Sequence, residues 1–397
     1  MRLHHLHLAR PIPYVHSLRL QEALLERHFA DKAALRKDAS LTSVAPPPTL
    51  LTFQTNPTYT VGRRHLNANP LSASQISFLT GNKEAQNDTS LATFYPSPRG
   101  GLLTYHAPGQ LTAYLVCNLR THNLTPRCYI RLLENTVMRT CAHHGVPNVM
   151  TTDDPGVWLA ERSDSSVEEM ADGTDCPAGT SVVPSGATPT SRKICAIGVQ
   201  VSRGVTSHGI GLNVHDTPIQ GGVAVEELYT LPKGNIYTED LGTEYMQAPS
   251  TTQLEDSTIL APGYLSWGFS RIVACGLQGK SVTWLSREQQ HAQEEQGVQA
   301  TQPVQSTKDL TLERVADSLA IELARSLKIE EGDIDNILEE DILDVERPSW
   351  ETLRILSDKT GKEAPEMDLG KQYRFRDLRQ DTGMRILGFE DNTGSSS

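Results

Sequence analysis

The sequence predicts one folded core built from both strands and helices, followed by loop-rich and charged additions. Strand alternation is clearest where Leu111, Ala113, Leu115 and Cys117 interleave with Thr112, Tyr114 and Val116. Helical spacing places Ile130, Leu133, Val137 and Cys141 on one face, and Leu312, Val315, Leu319 and Leu323 on another. A third observation limits the core. Hydrophobic content of 38% over 397 residues is low for a uniformly compact chain, so loops and tails take a substantial share.

In order along the chain, residues 3–8 read as a short strand and 17–30 as a helix with Leu20, Ala23, Leu24 and Ala30 loosely on one side. A linker ends in Pro46, Pro47 and Pro48, and residues 49–62 form a strand broken by a turn at Asn56-Pro57. Residues 81–92 are polar and read as loop. Residues 99–110 form a Gly/Pro-rich loop that runs straight into the strand 111–119. The helix 126–144 opens on Pro126 and stops at Gly145. Residues 156–160 and 192–202 read as antiparallel neighbours. The run between them, 162–191, is rich in Ser, Thr, Gly, Pro and acid, and lacks the apolar surface to order itself. Residues 205–214 form another strand, and 216–262 are mostly loop with a second insertion at 233–258. Residues 267–277 are a strand or helix end that delivers Cys275 beside Gly276. A polar, Gln-rich linker (287–307) precedes the helix 310–327. Beyond Lys328 the chain turns acidic, then mixed in charge, and much of it is expected to be loosely ordered.

Net charge is −12, and residues 287–397 carry 14 Lys/Arg against 25 Asp/Glu, so the acidity sits at the C-terminal end and the remainder is near neutral. That balance argues against nucleic acid, which needs a concentrated basic surface. No apolar run approaches the roughly 20 residues of a membrane span, so no membrane partner is expected either. The six cysteines (Cys117, Cys128, Cys141, Cys176, Cys195, Cys275) contain no C-x-x-C pair. Neither a zinc site nor a disulfide framework is signalled, as suits a reducing compartment. Arg2, Arg10 and Arg19 precede the first acid, Glu22, which is the charge pattern of an organellar import segment without its Ser-rich character. The same residues equally read as the first strand.

Four clusters hold the reactive side chains. In the first, Gly100, Gly101 and Pro108-Gly109 shape a bend around Arg99, Thr104, Tyr105 and His106, whose donors and acceptors can meet a ligand. The plainer alternative is a hairpin turn with a surface histidine. The others are Arg192 to Gly198, His208 to Asn213, and Cys275-Gly276. Lys193 precedes an otherwise apolar strand, where its ammonium is expected to be partly desolvated. A nearby thiolate would hold it charged, and a cysteine and lysine together make a nucleophile and base. Cys195 is the rival thiol on the same strand face, but about 7 Å along a strand is far for proton transfer, and it reads as core.

These motifs resemble a known family. RGGLLTYHAPGQ (99–110), PGVWLAE (155–161), KICAIGVQVSRGVTSHGIGLNV (193–214) and IVACGL (272–277) occur in the order and spacing of the octanoyltransferases of lipoate biosynthesis. TFQTNPTYTVGRR (52–64) is similar to that family's upstream strand and turn. The resemblance covers residues 1–330, with 162–191 and 233–258 as insertions and 331–397 as an acidic to mixed-charge C-terminal extension.

The resemblance implies an α+β fold, a mixed, mainly antiparallel sheet flanked by helices, like the catalytic domain of biotin and lipoate protein ligases. It also implies a two-step transfer by a monomeric, mitochondrial enzyme of the fungal or mitochondrial form. Cys275 would take the acyl group from octanoyl acyl carrier protein as a thioester. A lysine on a lipoyl domain, of a 2-oxoacid dehydrogenase acyltransferase subunit or the glycine-cleavage H protein, would take it on as an amide. Lys193 would lower the pKa of Cys275 and carry the proton. Arg99, Gly100, Gly101, Leu102, Leu103, Thr104, Tyr105 and His106, with Ala196, Ile197, Gly198, Gly209, Ile210 and Gly211, would line the acyl tunnel and the thioester carbonyl. His106 and His208 would position the chain or donate to the oxyanion.

No cofactor or metal is implied. Thioester exchange is nearly thermoneutral and thioester-to-amide transfer runs downhill, so ATP is not needed, and no Gly-Lys-Ser/Thr phosphate loop is present. An ATP-dependent lipoate or biotin ligase and a non-catalytic carrier-binding assembly factor are the alternatives. ATP dependence and a covalent acyl intermediate tell the three apart. Two positions depart from the family pattern: Ala107 replaces the usual glycine and Ala274 the usual proline. Ala107 is unstrained only with a negative φ. Acidic carriers further imply a basic surface near the site, with Arg203, Arg271 and Lys280 as candidates.

Overall fold

Asn56-Pro57 is where the chain leaves one sheet for another. The computed structural model describes residues 1–37, 45–68, 70–81, 91–159, 191–219, 263–272, 281–295 and 310–343. Its strands are β1 (Leu3–Ile12), β2 (Thr49–Thr55), β3 (Thr58–Gly62), β4 (Thr93–Ser97), β5 (Thr104–His106), β6 (Gln110–Val116), β7 (Val149–Met150), β8 (Gly156–Leu159), β9 (Arg192–Ser202), β10 (Val205–Asn213), β11 (Ser281–Val282) and β12 (Ile334–Asn336). The large sheet runs β12-β1-β2-β6-β10-β9-β8-β7, with β11 beside β9, and a small sheet runs β4-β3-β5. The large sheet is mixed and mainly antiparallel, as expected. β1 is parallel to β2 and β12, and β11 to β9, while every ladder from β2 through β6, β10, β9 and β8 to β7 is antiparallel.

The helices are α1 (Tyr14–Lys37), α2 (Arg63–Ala68), α3 (Ala73–Thr80), α4 (Pro126–His143), α5 (Tyr264–Phe269), α6 (Leu285–Glu295), α7 (Leu312–Ser326) and α8 (Glu339–Leu343). Among the described residues no helix is long and apolar enough to cross a membrane. α4 starts as predicted, with the Thr125 hydroxyl accepting from the Cys128 N–H and Pro126 in the first turn. Its buried stripe is Tyr129, Leu133, Val137 and Cys141, so Tyr129 takes the place expected of Ile130. That stripe and Val315, Leu319 and Leu323 of α7 bury one face of the large sheet, where Leu111, Ala113, Leu115, Ile210 and Leu212 point. α1 covers part of the other face, packing Leu20 and Leu24 on Leu51, Phe53, Tyr114 and Val116. The small sheet, α3 and α5 enclose a third core around Tyr59, Tyr105, Phe78 and Trp267.

Several expectations change. α3, within the stretch before the polar loop, is announced by a capping box: Ser72 Oγ accepts from Gln75 N, and Gln75 Oε1 from Ser72 N. The segment read as a linker from 287 begins instead as α6. Past the buried Leu285 its inner face is polar, with Glu288 paired to Arg192 and Gln289 donating to the His144 carbonyl, so no apolar periodicity marks it. Residues 334–336, expected to be loose, form β12 against β1. The basic N-terminal residues weighed as an import segment are β1 and the first turns of α1, with Leu3 and Leu6 buried. Cys117, Cys141 and Cys195 are free and buried. Most of both insertions and the chain beyond 343 lie outside the described residues. So does the polar loop at 82–90.

Candidate functional site

Side chains of a strand alternate between faces, so Gly209 and Gly211 lie opposite the helix-packed Ile210 and Leu212. Register extends this into a strip of small residues: Gly209 opposes Gly198, Gly211 opposes Ala196, and Ala196 opposes Gly156. The chain comes close here. A Cβ on Gly211 would lie 2.8 Å from Gln110 Oε1, and one on Gly198 would lie 3.1 Å from Arg99 Cδ. Of the residues expected to line a tunnel, Ala196, Gly198, Gly209 and Gly211 share this face, whereas Ile210 and Ile197 pack toward the helices.

The loop after β4 lies against the strip, with the Gly100 N–H donating to the Val199 carbonyl at 3.4 Å. Leu103 and Tyr105 turn into the small-sheet core. Thr104 and His106 alternate away from it. Arg99 is 6% exposed and spends its guanidinium inside the protein. Its Nη2 donates to Thr60 O, Thr60 Oγ1 and Leu102 O at 2.9, 2.8 and 3.2 Å, and its Nη1 to Gly100 O at 2.8 Å. Arg99 therefore ties the bend together. Ala107 is not among the residues with positive φ, so the replacement of glycine there adds no strain.

Both histidines are buried and held neutral. Burial, with the Arg99 charge adding to it, pushes His106 down to about 4. Burial, then Arg99, then His106 push His208 down to about 3. His208 has a φ of 61°, the left-handed region that non-glycine residues rarely occupy. Gln21 of α1 holds it there, accepting from the His208 N–H at 2.7 Å. The two His208 ring nitrogens lie 3.3 Å from Ser97 Oγ and Ser207 Oγ. Tyr14, also on α1, reaches the same Ser97 hydroxyl at 2.9 Å and stacks on His106 with ring centroids 6.0 Å apart.

Lys193 sits at the other end of the strip. Between β8 and β9 the register shifts: Val157 opposes Cys195 but Trp158 opposes Lys193, so Ile194 is an extra residue. This bulge separates two residues expected to share a face. Cys195 enters the helix-side core. Burial raises its thiol well above the ordinary range. Lys193 turns to the Trp158 side, is 3% exposed, and places Nζ 4.3 Å from the Trp158 ring and 3.5 Å from the Pro155 carbonyl oxygen. Gly156, at φ 144°, makes the room, since a Cβ there would lie 3.3 Å from Nζ and 2.8 Å from Cys195 O.

Cys275, Ala274 and Lys280 lie outside the described residues. The flanks of Cys275 are described: Ile272 is buried in the small-sheet core, and Val282 of β11 pairs with Lys193. Of the candidate basic residues, Arg203 is exposed at the tip of the β9–β10 hairpin. Arg271 is not on the surface; it is 6% exposed, donates to the Phe78 carbonyl and stacks on Phe78 and Trp267. A cleft of about 710 Å³ between α4, α6 and α7, lined by His144, Gln289 and Arg314, is separate from the strip.

Gln110, Asn213, Thr283 and Glu288 were not among the expected site residues. They form a buried hydrogen-bonded chain from His106 to Arg192. The signal available was that Gln110 and Asn213 are amides inside strands that are otherwise buried throughout.

The sheet thus has one helix-packed face and one glycine-lined face, the latter crossed by an arginine-tied bend and ending at a buried lysine. Residues 13–219 match the lipoyl protein ligase A/B catalytic domain, and the chain belongs to that family. It is 33% identical over 169 residues to a probable octanoyltransferase of Schizosaccharomyces pombe, covering 43% of this chain and 57% of that one. It is 26% identical over 282 residues to a mitochondrial octanoyl acyl-carrier-protein:protein N-octanoyltransferase of Danio rerio, covering 71% and 80%. With an octanoyltransferase of Bacteroides thetaiotaomicron it shares 39% over 124 residues, 31% of this chain and 44% of the other. The match thus spans about half the length of the yeast and bacterial relatives. A solved bipartite lipoate protein ligase of Thermoplasma acidophilum superposes with a TM-score of 0.40 at 13% identity, covering 90% of this chain and 93% of that one.

Proposed function

We propose that this chain transfers an octanoyl group from octanoyl acyl carrier protein to a lysine of lipoyl domains, through a thioester on Cys275. The observation that carries the reading is Lys193, a buried amine on a glycine-lined sheet face, with the strand that follows Cys275 paired directly to it. Ser281 is six residues on from Cys275, a reach of at most about 20 Å. In the first step the Cys275 thiol gives its proton to Lys193, the thiolate attacks the thioester carbonyl, and the carrier sulfur leaves as its bond to that carbon breaks, taking the proton from Lys193 to depart as a thiol. In the second, the acceptor amine attacks that carbonyl, the C–S bond breaks as the C–N bond forms, and the Cys275 sulfur recovers a proton. The alkyl tail would run beside the strip of Gly198, Gly209, Ala196 and Gly211.

The acceptors proposed are the lipoyl domains of 2-oxoacid dehydrogenase acyltransferase subunits and the glycine-cleavage H protein, in mitochondria, as the Danio relative suggests. Intact mass of the reduced protein after exposure to octanoyl acyl carrier protein should rise by one octanoyl group, and the Cys275→Ser variant should show neither the adduct nor transfer. Normal transfer by that variant would overturn the mechanism. Transfer that needs free octanoate and ATP would instead assign the chain to the ligases.

A further inference from the structure

His106 has one hydrogen bond among the described residues, from Nδ1 to Gln110 Oε1 at 2.6 Å. Which ring nitrogen carries the proton follows from what Gln110 does with its other end. Gln110 Nε2 lies 3.2 Å from the Tyr105 carbonyl oxygen and 2.9 Å from Asn213 Oδ1. A backbone carbonyl can only accept, so the nitrogen of Gln110 must face Tyr105. Asn213 is oriented in the same way, because its Nδ2 lies 2.9 Å from the Thr283 carbonyl oxygen. Two fixed acceptors thus set both amides, leaving Gln110 Oε1 to take a proton from His106 Nδ1. The neutral ring then has no hydrogen on Nε2. Nε2 has no partner among the described residues, although the residue is 94% buried (6% exposed).

We propose that Gln110 and Asn213 are positioning residues that fix His106 as a hydrogen-bond acceptor, its Nε2 receiving an N–H of the primary amine that attacks the acyl thioester. This rests on the transfer reaction proposed above and changes the part expected of His106. An Nε2 lone pair cannot donate to an oxyanion, and the acyl chain has no hydrogen to offer it. The attacking amine does, and holding one N–H aims the nitrogen lone pair at the thioester carbonyl. His106 neither gains nor loses a proton in the step; the proton released when C–N forms goes to the departing sulfur. Asn213 reaches Thr283, whose N–H donates to the Lys193 carbonyl at 3.0 Å, so one chain of bonds ties the acceptor to the strand that holds the lysine.

The test uses the full chain, reduced, and follows two half-reactions separately: octanoyl transfer from acyl carrier protein onto the protein, and from the octanoylated protein onto a lipoyl domain. His106→Phe and Gln110→Met should slow the second at least roughly tenfold more than the first, the size of one lost hydrogen bond. Because either variant could perturb folding, ¹⁵N NMR of the histidine rings in the unmodified protein is the second arm. At neutral pH His106 should carry its proton on Nδ1 with Nε2 bare. A proton on Nε2, or equal slowing of both half-reactions, overturns the inference and leaves the transferase reading intact. Failure of the unmodified protein to accept the octanoyl group overturns both.

Discussion

The two faces of the central sheet are made from the same strands and differ in nearly every physical respect. On the helix side, Leu111, Ala113, Ile210, Leu212 and Val157 pack in one apolar cluster with two amphipathic helices. On the other, Gly156, Ala196, Gly198, Gly209 and Gly211 alternate with them in sequence, and the groups that gather there are an arginine, two neutral histidines, a lysine and a chain of amides. Burial on the first face stabilises the fold. Burial on the second desolvates groups that fold with no comparable gain, and a period of two lets one strand serve both ends.

If that division is real, the two faces should fail differently when cut. The largest effect is expected from Lys193→Met. Its neighbours are the Trp158 ring and a carbonyl oxygen, while Glu134 nearby already has the Gly156 N–H and Arg131 as partners. Stability should therefore hold or rise. Octanoyl transfer should drop by about 10²-fold or more, as when a proton carrier is lost. Single-turnover transfer alongside urea unfolding reads both, and a destabilised but active variant would break the comparison. Leu319→Ala, on the helix face, should do the reverse. It should cost about 2–5 kcal/mol of stability and leave the rate per folded molecule unchanged.

Acid should find the polar face first. His106 and His208 are pushed down to about 4 and about 3 by burial and Arg99, from 6.5 unfolded. The unfolded chain therefore binds the extra protons, and stability present above about pH 6.5 is lost as pH falls toward 4 and then 3. Each histidine contributes a slope of about 1.4 kcal/mol per pH unit between its two values. His208→Asn keeps a residue that tolerates positive φ and should flatten the fall of Tm between pH 6.5 and 4. An unchanged slope would mean that other buried histidines, His5 and His28 among them, set the acid limit.

How legible each face was follows from the same contrast. Periodicity exposed the helix face directly, because Leu133, Val137, Leu319 and Leu323 repeat at helical spacing. The glycine strip, Lys193 and the Arg99 bend were visible as motifs, but not what each side chain would touch. Arg99 spends its charge on four oxygens, two in its own bend and two on Thr60, 39 positions earlier, which no local pattern announces. The Ile194 bulge depends on β8, whose partner register no single strand encodes, and it reversed the face assigned to Lys193 relative to Cys195. α6 escaped notice because past Leu285 its buried residues are Glu288 and Gln289, which find partners only once Arg192 and His144 are in place.

The smallest effect on transfer is expected from removing a long stretch of chain. Leu159 pairs with Arg192, so the ends of the insertion between β8 and β9 are already neighbours in a ladder. Replacing residues 161–190 by Asn-Gly asks the hairpin only for a shorter loop, which lowers its closure cost by about 1–2 kcal/mol. Tm should stay level or rise, and transfer to a free lipoyl domain should keep its kcat. A fall in kcat with Tm unchanged would place part of the insertion over the glycine face, and the two-face division would then need a third layer. A rise in KM for the lipoyl domain alone would instead make the insertion a docking element for the protein substrate.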